Sequence, residues 1–257
     1  MSFPLVFDDA AIYPPGNLPL AEAIVSHRAH RVSWYAHLVG PLVVGLADLP
    51  ALTGEGPLQV AVVVPDAAGA AAAIGAVDHL RGIDLVALEV KDTTVDALRG
   101  AIGAPDGVTV YVELPRDERR AGLIGALAGT GYRAKVRTGG LRQEMYPLAV
   151  ELAGVLVELT AAGVEFKATA GLHHALRNTD PDTGLEQHGF VNLLAATGRA
   201  ATGAGVEEIA AILAERDPER LPALPDHSSL RSIGTCVIAE PIEELTALGL
   251  LSRLVTS

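Results

Sequence analysis

The sequence predicts a (β/α)8 barrel, a closed ring of eight parallel strands surrounded by helices. Short apolar runs rich in β-branched residues alternate with Ala- and Leu-rich stretches of helical length. Strand starts recur roughly every 25 residues, a spacing typical of a repeated βα unit with a parallel sheet. Eight such units fit in the 257 residues of the chain, which we assign to one domain over residues 1–257.

The first four strands are expected in LVFDDAAIY, within WYAHLVGPLVVGL, in LQVAVVVP and in IDLVALEVK. Each run has the apolar, β-branched character of a strand buried in a parallel sheet. Helices are expected over NLPLAEAIVSHRAHR, over the alanine-rich stretch that ends near HLRG, and over TTVDALRGAIG. This half of the chain therefore supplies four strands of the ring.

The last four strands are expected in GVTVYVELP, YRAKVRTGG, VEFKATAGL and LRSIGTCVI. Helical stretches follow them in RDERRAGLIGALAGTG, QEMYPLAVELAGVLVELTAAG and EPIEELTALGLL. A long insertion, residues 173–229, separates strands seven and eight and contains a further helix in HGFVNLLAATGRA. Because this connection is much longer than a usual βα loop, an open doubly wound sheet is the alternative architecture.

Composition restricts the class of partner. The net charge of −12 argues against nucleic acid, since a phosphate backbone binds basic surfaces. The sequence contains no run of 18 apolar residues, so no membrane span is predicted. The segment MSFPLVFDDA lacks the features of a signal peptide. The one cysteine, Cys236, fits a reducing cytoplasm. We expect a cytoplasmic protein with a small-molecule partner, either as a monomer or as a homo-oligomer.

The lysines stand out among the cations, because only three of the 19 basic residues are lysines. Side chains alternate along a strand between the lumen and the helices. With the apolar residues facing the helices, this alternation places one set of polar side chains in the lumen. The set comprises Glu89, Lys91, Thr109, Tyr111, Glu113, Lys135, Arg137, Glu165, Lys167 and Thr169. All three lysines are therefore expected at the carboxyl end of the barrel, where active sites of this fold lie.

Lysine offers a reaction that arginine does not, because only an amine can deprotonate and condense with a carbonyl group. A lysine beside another cation in a pocket of low dielectric becomes nucleophilic at neutral pH. Lys135 and Lys167 on adjacent strands, with Arg137 nearby, suit this chemistry. The alternative is a purely structural network in which Glu89, Glu113 and Glu165 neutralise the cations.

Three motifs carry a resemblance to the deoxyribose-phosphate aldolase family. KVRTGG resembles the K-T-S-T-G-F segment of that family, FKATAGLHH is similar to its V-K-A-S-G-G-I-R strand, and RSIGTCVI resembles its R-I-G-T-S strand. GIDLVALEV is a looser match to an E-V-D-x-V strand. The resemblance covers roughly Ile83 to Val237 in the same order. Leu172, His173 and His174 depart from the family pattern after strand seven.

The resemblance implies roles for individual residues. Lys135 would form the Schiff base, and Lys167 would be the neighbouring lysine that perturbs it. Gly171, with the backbone of Gly234 and Thr235, would line an anion site. Asp84 aligns with a family aspartate that assists proton transfer, whereas strand alternation places Glu89 inside the lumen instead.

Other candidates follow from position alone. His173 is a candidate general acid or base, and His174 a candidate substrate contact, because both follow strand seven at the active face. Asp8 ends strand one, where a carboxylate could bind or act on a substrate. A metal site that combines a histidine with Glu89, Glu113 or Asp8 is an alternative. The polar segment 177–188 is a candidate lid.

These observations together predict a lyase of the class I aldolase type acting on a small polar carbonyl compound. The catalytic set would be Lys135, Lys167, Lys91, Glu89, Glu113 and His173; the substrate-binding set would be Arg137, Gly171, His174, Gly234, Thr235 and Asp8. No cofactor is expected, because an iminium is itself the electron sink. Two alternatives remain at this point: metal-assisted or acid–base chemistry with lysine clamps, and a catalytically silent protein that binds a small anion.

Overall fold

A closed barrel of eight parallel strands forms the centre of the computed structural model, which describes residues 3–94, 96–97 and 103–253. The barrel strands are β1 Val6–Asp9, β2 Val39–Gly45, β3 Leu58–Val64, β4 Ile83–Val90, β5 Thr109–Glu113, β6 Arg133–Arg137, β7 Phe166–Thr169 and β10 Leu230–Thr235. The ring runs from β1 to β7 in order and closes through β10, which pairs with both β7 and β1. The predicted (β/α)8 class is confirmed, and the open sheet is excluded.

Helices surround the ring, and the sequence pattern predicts each of those described except the one at 206–214. They are α1 Leu20–Arg31, α2 Ala67–Val77, α3 Arg119–Leu127, α4 Ala149–Ala161, α5 Phe190–Ala201, α6 Val206–Ala214 and α7 Ala239–Ala247. A 3-10 segment, Leu46–Leu52, follows β2 in place of a longer helix. The helix predicted in TTVDALRGAIG lies largely outside the described residues. Within the described ranges, no helix is both long and apolar enough to cross a bilayer.

Strand alternation divides the side chains between two environments. Phe7, Leu88, Val112 and Phe166 face the helices and are fully buried, and burial of each such side chain stabilises the fold by roughly 1.5–3 kcal/mol. On the lumen side, one half of the barrel is apolar. It consists of Val43, Ala61, Val63, Ala87 and Tyr111, contributed by β2 to β5. The rest of the lumen holds ionisable side chains.

The insertion between β7 and β10 belongs to the outer layer. It contains a two-stranded hairpin, β8 Asn178–Thr179 with β9 Glu186–Gln187, followed by α5 and α6, which pack on each other and on α4. His188 Nε2 donates to Pro147 O at 2.8 Å, and Arg216 pairs with Glu186 at 2.7 Å. Apart from these contacts and one to Asn192, the hydrogen bonds described for 177–188 lie largely within the segment, so its role as a lid stays a prediction.

Candidate active site

Six ionisable side chains are in contact inside the barrel, and five strands contribute them. In order of contact they are Asp8, Lys167, Glu89, Lys135, Glu113 and Arg137, together called the lumen cluster. The cluster contains three carboxylates and three cations. It is therefore neutral when every member is charged, which limits the cost of burying it.

Glu89 joins the two lysines. Lys167 Nζ donates to Glu89 Oε1 at 2.6 Å and to Asp8 Oδ2 at 2.5 Å. Lys135 Nζ lies 2.8 Å from the other oxygen of Glu89, Oε2. The hydroxyl of Ser232 also donates to Asp8 Oδ2, at 2.8 Å. Because Lys135 and Lys167 are register partners on β6 and β7, one carboxylate on β4 can reach both.

Glu113 makes an ion pair that is not aligned as a hydrogen bond. Its Oε2 lies 3.2 Å from Lys135 Nζ, yet this buried oxygen accepts no hydrogen bond from the described residues. Its other oxygen, Oε1, accepts from Arg137 Nε at 3.1 Å. Glu113 Oε2 therefore keeps an unused acceptor beside the Lys135 ammonium, as a proton acceptor would need.

Exposure rises along the lumen cluster from Lys167 to Arg137, while Asp8 at the other end is 6% exposed. The side chain of Lys167 is 1% exposed and that of Lys135 is 4% exposed. Glu113 is 16% exposed and Arg137 is 29% exposed. A molecule that enters from solvent thus meets Arg137 and Glu113 first and Lys135 next, whereas Lys167 lies beyond Glu89.

The charges of the inner members are fixed by their neighbours. Burial favours the neutral form of Glu89, but Lys135 and Lys167 outweigh burial and lower its pKa to about 2. Burial also opposes the charge of Lys167, yet Asp8 and Glu89 raise its pKa above the ordinary value. Burial raises the pKa of Asp8 against the attraction of Lys167. Lys167 is therefore a permanent ammonium group.

The decrease in the free energy of unfolding at acid pH should depend on Glu89. Its pKa falls from 4.5 to about 2 on folding, so the ionised carboxylate stabilises the fold above pH 4.5 and this contribution, on the order of 3 kcal/mol, is lost as the pH falls through 2. We expect Glu89→Gln to flatten the change in unfolding free energy between these pH values. Denaturant titrations at a series of pH values measure it. Because burial raises the pKa of Asp8, its contribution to stability changes with pH in the opposite direction, and it does so in both proteins. Parallel stability profiles for the two proteins would contradict the expectation.

Gly40 on β2 makes room for the carboxylate of Asp8. A Cβ atom on Gly40 would overlap Asp8 Oδ1 and would lie 3.0 Å from Val6 Cγ1 and 3.2 Å from Asp8 Cα. The backbone of β1 thus approaches β2 too closely for any side chain at this position. Absence of a side chain at Gly40 is a condition for the contact between Asp8 and Lys167.

Gly40→Ala is expected to lower the free energy of unfolding by about 1–3 kcal/mol, because the added methyl group displaces the Asp8 carboxylate. Gly75→Ala is the matched control, since a Cβ atom there meets nothing within 4 Å and Ala stabilises a helix by roughly 0.5–1 kcal/mol relative to Gly. Chemical denaturation of both variants measures the difference. Equal stabilities would rule out the steric requirement at Gly40.

The loops after β6 and β7 are in close contact. Gly171 has φ +69°, and a Cβ atom there would lie 2.9 Å from Tyr146 Cε1 and 3.1 Å from Gly139 Cα. Ala170 also has a positive φ, +68°, and Thr138 Oγ1 donates to its carbonyl oxygen at 2.6 Å. These contacts hold the carboxyl ends of β6 and β7 together, directly above the two buried lysines.

The residues predicted to line an anion site lie on neighbouring strands. Gly234 on β10 is the register partner of Thr169 on β7, and Gly171 follows β7 by two residues. Thr235 is buried, and its hydroxyl donates to Val237 O at 3.3 Å. The structure therefore places this group at one edge of the opening, and anion binding there stays a prediction.

Three of the predicted site residues that carry ionisable side chains lie outside the lumen cluster. Lys91 is exposed one residue beyond β4, so its expected place inside the lumen is wrong. His173 Nδ1 lies 3.2 Å from Glu240 Oε2, and His174 Nδ1 lies 2.6 Å from Glu244 Oε1. Both carboxylates belong to α7. After Gly171 the chain turns towards this helix, so neither histidine contacts the cluster.

Two acidic residues lie away from the lysines. Asp84, which the family resemblance aligned with a proton-transfer aspartate, is exposed at the amino end of β4 and accepts from Gln59 at 3.4 Å. Strand alternation correctly placed Glu89 inside instead. Glu165 pairs with Arg133 at 2.8 Å, so the expectation that it neutralises the lysines is wrong. Asp8 takes that role.

Other groups bear on the chemistry less directly. Burial raises the pKa of Cys236 to about 11, so its thiol is neutral and a poor nucleophile. Among the described residues, no group of three or more His, Cys, Asp or Glu side chains is arranged to hold a metal ion. Sequence reasoning did not find Ser232, whose only signal was its alternation on β10, or Tyr13, which lies on a loop without periodicity.

Comparisons with known proteins returned no relative. No protein-family model matches the chain, and no curated protein or solved structure matches it significantly. The resemblance to deoxyribose-phosphate aldolases consequently rests on the quoted motifs alone. The function of this barrel is therefore argued from the geometry of its lumen.

Proposed function

We propose that the protein is a lyase of the class I aldolase type, in which Lys135 forms a Schiff base with a small polar carbonyl compound. One observation carries the proposal. Two buried lysines share a single carboxylate, Glu89, and only Lys135 also contacts Glu113, the most exposed carboxylate of the cluster. A purely structural network has no need of this division.

The two lysines have different roles in the proposal. Lys167 stays charged because Asp8 and Glu89 raise its pKa, so it acts as a fixed cation behind Glu89. Lys135 shares Glu89 with that cation, and its other partner, Glu113, is not aligned to hydrogen-bond it. Lys135 is thus the lysine that can release a proton to a neighbour and react.

The reaction begins when the Lys135 ammonium group transfers a proton to Glu113 Oε2. The neutral amine attacks the carbonyl carbon, the carbonyl electrons move to oxygen, and a proton passes from the nitrogen to that oxygen to give a carbinolamine. Glu113 returns its proton to the carbinolamine hydroxyl, which leaves as water, and an iminium forms on Lys135. When the C–C bond next to the iminium carbon's neighbour breaks, its electrons move into the iminium to give an enamine. The hydroxyl of the other fragment gives its proton to water, and that fragment leaves as a carbonyl compound.

Arg137 would bind an anionic group of the substrate. Its Nε donates to Glu113, while its terminal nitrogens have no partner among the described residues. A guanidinium with free terminal N–H groups suits a carboxylate or phosphate. Because the net charge of the chain is −12, we propose that the partner is a small molecule and not nucleic acid. The one cysteine is in keeping with a cytoplasmic setting.

A second candidate is an acid–base enzyme or a silent binding protein in which the lysines only position an anion. The complete pairing of both lysines with carboxylates favours this alternative. Paired ammonium groups are poor nucleophiles but good electrostatic contacts. The two candidates differ in whether a covalent bond forms at Lys135.

Borohydride trapping separates the candidates. The protein is incubated with pyruvate, dihydroxyacetone, acetone or acetaldehyde, reduced with sodium borohydride, and digested for mass spectrometry. We expect a stable adduct on Lys135 that depends on the carbonyl compound. An adduct on Lys167 would exchange the roles of the two lysines. Absence of any lumen adduct with all four compounds would discard the Schiff-base mechanism.

A further inference from the structure

Tyr13 covers the apolar half of the lumen. It lies on the turn after β1, where its backbone N–H donates to Ala10 O at 2.8 Å and its carbonyl accepts from Asn17 N at 3.1 Å. Its side chain packs against the cluster of apolar residues that β2 to β5 direct into the lumen. The aromatic ring therefore lies inside the opening of the barrel.

The hydroxyl of Tyr13 is a donor without an acceptor. It has no hydrogen-bond partner among the residues that the structure describes. A Cβ atom added to Gly45 would lie 3.7 Å from this hydroxyl and 3.0 Å from Asp48 Oδ2. Burial and the charges of Glu89 and Asp48 raise the pKa of Tyr13. The phenol therefore stays protonated and available to a ligand.

Tyr13 and Lys135 belong to opposite sides of the ring. The Tyr13 hydroxyl lies beside the carboxyl end of β2, at Gly45, and β6, which carries Lys135, is the strand opposite β2 in the order of the barrel. Glu89 contacts Lys135 and also influences the pKa of Tyr13. An eight-stranded barrel is only wide enough for side chains to fill it. Across so narrow a ring, a small molecule attached to Lys135 would come close to the side on which Tyr13 lies.

We propose that Tyr13 is a second catalytic residue, which protonates the oxygen of the carbonyl compound that reacts with the Lys135-bound enamine. This inference rests on the proposed function. In condensation, the enamine carbon attacks the second carbonyl carbon, a C–C bond forms, and the enamine becomes an iminium. The carbonyl electrons move to oxygen, which takes the Tyr13 proton and becomes a hydroxyl. The proton that the iminium released to solvent when the enamine formed is replaced from solvent on the phenolate, so that the phenol is restored.

The test separates iminium formation from C–C bond formation in Tyr13→Phe, which keeps the ring and removes the hydroxyl. Borohydride trapping on Lys135, and exchange of the donor's α-hydrogens in D2O with pyruvate or dihydroxyacetone, report the first stage. Product formation with acetaldehyde or glyceraldehyde, followed by NMR, reports the second. Tyr146→Phe is the matched control, because it removes another hydroxyl from the same end of the barrel, beside Gly139 and Gly171.

We expect Tyr13→Phe to retain trapping and exchange within about threefold while product formation falls about a hundredfold or more. Tyr146→Phe should match the wild-type protein in all three measurements. Unchanged product formation in Tyr13→Phe would overturn the inference, as would an equal loss of exchange and product formation. The inference would also be overturned if the wild-type protein exchanged the α-hydrogens of a donor but formed no product with any pair of donor and acceptor. A wild-type protein that is not trapped at Lys135 would instead overturn the proposed function, and the inference with it.

Discussion

Lys135→Arg should reduce turnover by roughly a thousandfold or more, although the variant keeps the positive charge. A guanidinium can still pair with Glu89 and Glu113, so the electrostatic balance of the lumen is retained. It cannot deprotonate and attack a carbonyl group. Turnover and borohydride trapping of the purified variant measure the effect. The expected result is loss of both, with a normal circular dichroism spectrum.

Lys91→Arg supplies the matched control for that experiment. Lys91 follows β4 at the same end of the barrel, but its side chain is exposed. The same chemical substitution there should leave turnover and trapping unchanged. If Lys135→Arg retained activity within tenfold of the wild type, Lys135 would be a clamp and not a nucleophile.

Lys167→Met should cause the largest loss of stability in the lumen, about 3–5 kcal/mol of unfolding free energy. Methionine fills a similar volume but leaves Asp8 without its cation, and Glu89 keeps only Lys135. A buried carboxylate without a counter-charge favours protonation. The loss should therefore be greatest above the ordinary pKa of aspartate and should shrink as the pH falls. Urea denaturation at several pH values measures both effects.

Lys135→Met is the comparison for the stability experiment. After that change, Glu89 still contacts Lys167, and Glu113 still contacts Arg137. No carboxylate is left without a cation, so the loss of stability should be clearly smaller, while turnover should still be lost. Equal losses of stability in the two variants would show that the lysines do not differ in the way that their contacts indicate.

Strand periodicity predicted most of the fold and the charged side of the lumen. Alternation along β4, β5, β6 and β7 is local, so the inward positions of Glu89, Glu113, Lys135 and Lys167 could be determined from the strands themselves. The same rule placed Glu165 inward but could not give its height in the barrel. Register decides that height, and register depends on contacts between strands.

Contacts between distant elements could not be predicted in this way. Asp8 was a candidate on position, but its pairing with Lys167 depends on closure of the ring. His173 and His174 follow a strand in the manner of catalytic residues, yet the path of the chain after Gly171 directs them to α7. Tyr13 lies on a turn, where no periodic pattern indicates the direction of a side chain.

Closure of the ring also determines when the site can exist. Lys167 lies 159 positions from Asp8, and Ser232 lies 224 positions from it. Contacts between such distant positions form late, because a long loop must close first. During synthesis on the ribosome, β1 emerges early. The ring cannot close around its carboxylate until β10 has been synthesised and can pair with β1. The lumen cluster is therefore completed only when the ring closes, and a chain whose ring is still open should lack the pairing of Asp8 with Lys167.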